Sequence, residues 1–385
     1  MSLFAGVLIK NIMYSKVCLT LPRLSFHTSQ VKYLYSQAAL GVDAYLETRQ
    51  KCKEQFTNLA DAFRTKMAEF TLDSKNMIFT EDLKNMLHLA EHADLKLTLQ
   101  MIKKFNSQQS EFRFGSYVFG PVVMRLFHVL NAPIEALECF DEPMNEGFFD
   151  QLVSYQILLD LLYKNEMYDE MFKVYEKIEL KQINMTKYPK YVMILIFAAC
   201  YKQNTPESMK YASKLWSSMI DSGMLPLRRA CTYFAALALK QGLPHVALES
   251  ISGQKQNYVT MRNIKVLALT NMGRLDDTLP VLRSVLDIDS PMTAKNQFLS
   301  DTIETVQRAV EESNNKDTQK EFHNIYIALS EQGLIDTKTM EDMLNNEITI
   351  RRPEPSSGKS IFPAKRVPYG LRHKNQSSHV TQNSN

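Results

Sequence analysis

The 34 residues from Val153 to Thr186, VSYQILLDLLYKNEMYDEMFKVYEKIELKQINMT, hold two apolar stripes of helical period separated by a polar break. Val153, Ile157, Leu158, Leu161 and Leu162 share one stripe, and Met171, Phe172, Tyr175 and Ile178 share the other. Two amphipathic helices of this length cannot bury such stripes alone. Stacked beside similar hairpins they can, because each pair covers its neighbour's open face.

Weaker copies stand on both sides. Aligned at the end of each first helix, on Ala90, His128, Lys164, Lys202, Lys240 and Thr270, the copies follow at intervals of about 38, 36, 38, 38 and 30 residues. The second helix of each copy carries an early contact residue: Thr98, Ala136, Met171, Ala212, Ala247 or Thr278. Several of these are small, as close helix approach requires. The breaks agree with the spacing. Pro133, Pro206 and Pro244 stand where a first-turn proline is tolerated, and Gly242 and Gly273 where a left-handed stop is needed. The pattern predicts an all-α chain, a right-handed α-solenoid of about five or six stacked helix-turn-helix repeats.

The expected layout is an import segment over 1–36, an N-terminal helical segment over 37–75, the array over 76–290, further helices over 291–350 and a basic tail over 351–385. In the fourth of these, Met292 to Glu312 and Glu321 to Asn345 read as helices. The first 42 residues contain Lys10, Lys16, Arg23 and Lys32 and no acid before Asp43, which is the composition of a mitochondrial transit peptide. A secretory signal would place its charge before the apolar run, whereas Lys10 follows Leu3, Phe4, Val7 and Leu8. Cleavage is expected between about 25 and 36. No run approaches the roughly 18 uncharged apolar residues of a membrane helix, so membrane insertion is not expected. The most apolar runs, Val192 to Tyr201 and Ala230 to Leu239, read as buried first helices. Cys18, Cys52, Cys139, Cys200 and Cys231 are odd in number and scattered, which fits reduced thiols rather than a disulfide framework or zinc site.

Val153 to Thr186 resembles a pentatricopeptide repeat. Val153, Tyr155, Gln156, Leu158, Leu159, Leu162, Tyr163 and Lys164 hold the places of the family's V-x-Y-N-x-L-I-x-x-L-C-K first helix, and Glu170, Met171, Val174, Tyr175 and Ile178 those of its second. Gln182, Met185 and Thr186 depart from the usual closing Gly, Pro and Asp. Phe112 to Leu126, Gly147 to Leu162 and Cys200 to Ser208 are similar to an animal mitochondrial member of the family. The resemblance implies a protein of the mitochondrial matrix that binds RNA and supports mRNA processing, and through it respiratory-chain expression, without catalysis or cofactor. Its partners would be mitochondrial RNA and further RNA-processing or ribosomal proteins. One unit would meet one base through two or three side chains. These positions fall on Gln156 and Thr186 for the base edge and Val153 for the base face, with Ile194 and Thr232 at the place of Gln156 in the next two units. Ile194 cannot hydrogen-bond a base, so the array looks imperfect as a sequence reader.

Charge is divided. Lys and Arg number 45 against 42 Asp and Glu; removing four basic residues before 43, and seven basic and one acidic after 350, leaves 34 against 41. The helical body thus lacks the bulk basic footprint of a nucleic-acid binder. The tail has one, in Arg351, Arg352, Lys359, Lys365, Arg366, Arg372 and Lys374. Its prolines predict disorder, and such an arm can neutralise phosphates without sequence preference. The acidic body keeps a second function open: a scaffold for proteins, tetratricopeptide-like or docked on the mitochondrial ribosome.

One string suggests chemistry. His88, Glu91 and His92 have the H-x-x-E-H spacing of inverted zinc peptidases. Such a site needs a third ligand in a shielded cleft, on a scaffold unlike stacked hairpins, so neither a metal site nor an enzyme is expected. No Gly-rich phosphate loop and no G-x-S-x-G is present. Asp276 and Asp277 suit a helix start, and Trp216 and Met219 suit a core.

Overall fold

A computed structural model describes residues 33–73, 75–108, 117–254, 258–286 and 297–349. After a single-turn α1 (Gln37–Leu40), sixteen helices alternate as first and second members of eight hairpins among the described residues. They are α2 (Val42–Gln55) with α3 (Ala60–Leu72), α4 (Thr80–Leu89) with α5 (Leu95–Ser107), α6 (Gly120–Leu130) with α7 (Pro133–Asp141), and α8 (Leu152–Lys164) with α9 (Tyr168–Lys181). Then follow α10 (Lys190–Gln203) with α11 (Pro206–Asp221), α12 (Arg228–Lys240) with α13 (Pro244–Ile251), α14 (Val259–Asn271) with α15 (Leu275–Arg283), and α16 (Ser300–Glu312) with α17 (Lys316–Glu331). A last short helix, α18 (Met340–Asn345), follows the eighth hairpin.

Each first helix packs on the first helix before and after it, from α2 through α16, so these helices form one continuous layer. From α5 onward each second helix packs on its own first helix, and α7, α9, α11 and α13 also pack on the next one. This stacking is the α-solenoid expected from the repeat spacing. Thr98, Ala136, Met171, Ala212, Ala247 and Thr278 are all 0% exposed, so the early position of the second helix is fully buried in every aligned unit. Pro133, Pro206 and Pro244 each open their helix at the first turn. The stop after the first helix is left-handed in five consecutive units, at Asn131, Glu166, Asn204, Gly242 and Gly273. Only two of those five are glycine, which hid the regularity from a search for Gly.

The array is longer than the sequence spacing implies, because α2 and α3 pack on α4 and α5 at one end and α16 and α17 pack on α14 and α15 at the other. Near the C-terminus the expected helices are broken differently. α16 begins at Ser300, and Phe298 and Leu299 just before it form a parallel two-residue bridge with Ile335 and Asp336. The expected helix over 321–345 starts earlier, at Lys316, and stops at Glu331, where Gly333 turns the chain with φ 64° before α18. A separate apolar cluster of Val266, Leu279, Leu282, Phe298, Ile303, Val306, Phe322 and Leu329 holds these last pairs together.

Candidate nucleic-acid interface

Val192 through Tyr201 of α10 are ten consecutive buried residues, and Ala230 through Ala238 of α12 are nine. A helix covered by a neighbour on each side and a second helix behind still has one open side. Here that side is covered by two segments of the same chain.

The first is the short extended stretch before α1. The amides of Leu34 and Tyr35 both donate to Asp160 Oδ1, at 2.9 and 3.0 Å. Asp160, in α8, is 0% exposed, and His128 Nε2 in α6 lies 3.0 Å from its other oxygen. Burial raises the Asp160 carboxyl pKa, opposed by the His128 contact and the two amides. Tyr33 stacks on His128 with ring centroids 4.0 Å apart, and Lys164 Nζ sits 4.5 Å from the centre of the Tyr33 ring. The hydroxyl of Tyr35 donates to the Tyr191 carbonyl at 2.9 Å. Tyr33–Ser36 are therefore built into the core, and an import segment running to residue 36 would overlap it; residues 1–32 lie outside the described chain.

The second covering segment is α18 with the residues after it. Glu341 accepts from Lys202 Nζ at 2.5 Å and from the Tyr201 hydroxyl, and Lys240 Nζ stands 3.5 Å away. Burial pushes the Glu341 carboxyl up, but the hydrogen bonds from Lys202 and Tyr201 and the charges of Lys202 and Lys240 outweigh it and hold the pKa at about 2. Arg229 donates to the carbonyls of Met343 at 2.9 Å, Leu344 at 2.7 Å and Asn346. Tyr233 adds a hydroxyl to the Leu344 carbonyl at 2.5 Å. The two segments then meet: Ile348 N donates to Leu34 O at 2.9 Å, and Ser36 N to Ile348 O at 3.1 Å.

Lys164, Lys202 and Lys240 occupy the same place, the end of the first helix, in three successive units. Each is engaged on this covered face. Sequence spacing located these lysines as alignment anchors only; their common engagement is the signal that marks them as functional candidates.

The positions expected to touch a base separate. Val153 is 43% exposed in the first turn of α8, and Gln156 is half-buried one turn on. Thr186 is half-buried, its hydroxyl accepting from the Tyr188 amide at 3.2 Å. Thr232 is 1% exposed, and its hydroxyl donates to the Arg229 carbonyl at 2.7 Å. Ile194 is buried in the same way. At the place of Gln156 in the preceding unit stands Gly120, where a Cβ would lie 2.4 Å from Gln151 Oε1 and 2.8 Å from the Phe148 carbonyl. The Val153 row stays more open. Its counterparts are Tyr117, 39% exposed with Lys84 Nζ 4.4 Å from the ring centre, and Tyr191, 51% exposed. These two tyrosines lie about 36 and 38 residues from Val153, so the repeat interval applied to that row would have found them. The basic tail, Arg351, Arg352, Lys359, Lys365, Arg366, Arg372 and Lys374, lies outside the described residues.

His88 and His92 do not share a helix face. His88 is buried at the end of α4, stacked on Tyr45, with Nδ1 2.7 Å from the Lys84 carbonyl. Burial lowers its pKa, opposed by that carbonyl, and Arg49 lowers it further. His92 opens a separate 3-10 turn, and Glu91 pairs with Lys53 and Arg49. Among the described residues no three His, Cys, Asp or Glu side chains converge as a metal site would need, and no helix is long and apolar enough to cross a membrane.

Stacked helical hairpins with a row of cationic side chains along the first-helix layer define a helical-repeat protein. No family model matches the chain. Its similarity to curated pentatricopeptide repeat proteins nevertheless runs along most of its length. It is 29% identical over 323 residues to Pentatricopeptide repeat-containing protein 2, mitochondrial, of Mus musculus, covering 80% of this chain and 83% of that protein. The proteins of the same name from Homo sapiens and Danio rerio are 28% identical over 280 residues and 23% identical over 316. The human match covers 71% of this chain and 70% of that protein, and the zebrafish match 81% of each.

Proposed function

We propose that this chain is a non-catalytic RNA-binding protein of the mitochondrial matrix, which holds a transcript during its processing along the first-helix layer. The observation that carries the reading is the row Lys164, Lys202 and Lys240, one cation per unit at one position, two of which already hold a carboxylate. Anions spaced along a flexible strand suit such a row, and phosphates dominate affinity for RNA. Tyr117, Val153 and Tyr191 supply exposed flat or apolar surface at the opposite, N-terminal end of the layer, about 16 Å along the helices from the lysines, on which bases stack with little sequence preference. Gln156 and Thr186 are the remaining base-edge candidates. Burial at Ile194 and Thr232 argues for recognition by backbone and stacking more than by a unit-by-unit code.

Binding of a fluorescent single-stranded RNA of about 20 nucleotides tests this. Changing all three lysines to Gln should weaken binding and flatten the dependence of log affinity on log salt by roughly 0.7 per lost phosphate contact. Unchanged affinity and slope would remove the lysine row from the reading. Crosslinking in mitochondria, followed by sequencing of attached RNA, tests the physiological claim. A second reading, a scaffold for proteins, is favoured by the excess of acid in residues 43–350, 41 against 34 basic. It prevails if no RNA is recovered above an untagged control.

A further inference from the structure

Arg229, Lys202 and Lys240 are all directed at one short segment, and that segment has little stability of its own. α18 is six residues long, far below the length at which a helix persists in water. What holds it are outside groups. Arg229 satisfies carbonyls at its C-terminal end, which would otherwise be orphaned. Asp301 accepts from the Met340 amide at 2.7 Å at its start, and Glu341 fills the space between Lys202, Lys240 and Tyr201. Leu344 is 0% exposed against the array, and Met340 is 8%. Only the capping box of Thr339 with Asp342 is local.

Beneath the segment lies a surface of a different kind. Tyr201 and Tyr233 have ring centroids 5.8 Å apart, and Lys240 Nζ stands 3.8 Å from the centre of the Tyr201 ring. With Arg229 and Lys202 this is a group of three cations and two aromatic rings on adjacent first helices. Cations interleaved with aromatic faces suit a single strand of nucleic acid, its phosphates on the cations and its bases on the rings. The Glu341 carboxylate occupies the place of one such phosphate, and α18 covers the rings. A single carboxylate on a tether competes with a polyanion only while its tether keeps it close, so a strand of several phosphates can outcompete it.

We propose that Thr339–Ile348 is a strap that occupies two rungs of the lysine row in cis, and that RNA reaches Lys202, Lys240, Arg229, Tyr201 and Tyr233 only when the strap undocks. This rests on the RNA-binding reading above and adds its regulation. The closed strap lowers apparent affinity by the fraction of molecules in which it is shut, so anything that loosens it raises affinity without a new contact to RNA.

The test uses the mature full chain and a fluorescent 20-nucleotide oligouridylate. Glu341→Gln should bind the probe several-fold more tightly than the native chain. In the native chain, amide hydrogen exchange across Thr339–Ile348 should lose protection when the RNA is added, while α10 and α12 beneath keep or gain it. The exchange measurement does not depend on how any variant folds. If the native chain binds the RNA and the strap amides stay as protected as before, the strap proposal is overturned and the RNA reading stands. If neither the native chain nor Glu341→Gln binds the probe, both fall.

Discussion

Asp160 carries three partners in a fully buried position: the amides of Leu34 and Tyr35 and the ring of His128. Removing one member of such a set leaves the others without water or acceptor, which costs more than the net worth of the contact. Asp160→Ala should lower unfolding free energy in urea by about 3 kcal/mol and expose the Leu34 and Tyr35 amides to exchange. Asp160→Asn keeps an oxygen for the two amides and can donate to His128 Nε2 in its unprotonated tautomer, so its cost should be roughly 1 kcal/mol. Equal losses for the two variants would mean that the charge, and not the acceptor geometry, matters here. Nothing near Asp160 in sequence marks it. It sits in an apolar first helix between Leu159 and Leu161, and its partners lie 32 and about 125 residues away.

At the scale of elements, the helices and their breaks were readable because each depends on nearby residues: apolar period, a first-turn proline, a left-handed stop. Glu166 at φ 58° shows the limit, since the local hairpin imposes a conformation that its side chain does not favour. The covering segments were not readable. α18 and Tyr33–Ser36 are too short to carry a period, and they are placed by side chains more than a hundred residues distant. For the strap, a pH prediction follows from Glu341. Its pKa is lowered to about 2 in the folded chain, below the ordinary carboxylate value of about 4.3, so its contribution is complete above that value. It is lost as pH falls from about 4.3 toward 2. The melting-temperature difference between the native chain and Glu341→Gln should therefore be constant from pH 7 to 5 and shrink below about pH 4. A difference that holds at pH 3 would contradict the ion pairing with Lys202 and Lys240.

At the scale of the whole array, a solenoid is normally a one-dimensional object in which each unit feels only its neighbours, and its ends can fray independently. The described chain departs from this at one place. Leu34 and Ser36, before the first helix, exchange backbone hydrogen bonds with Ile348, beyond the last hairpin. The two segments that meet there also cross the array, the N-terminal stretch over α8 and α10 through Asp160 and Tyr191 and the strap over α12 through Arg229. Opening the N-terminal stretch thus removes cover from the middle of the array and an anchor from the strap. The ends are coupled through the covered face, and unfolding should be more cooperative than in a simple repeat. Ile348→Pro deletes the amide that donates to Leu34 without touching any hairpin. Native-state hydrogen exchange should find α2–α4 and α14–α17 opening at similar free energies in the native chain and at separate ones in Ile348→Pro. If they already differ in the native chain, the closure is a local contact and the array behaves as independent neighbours.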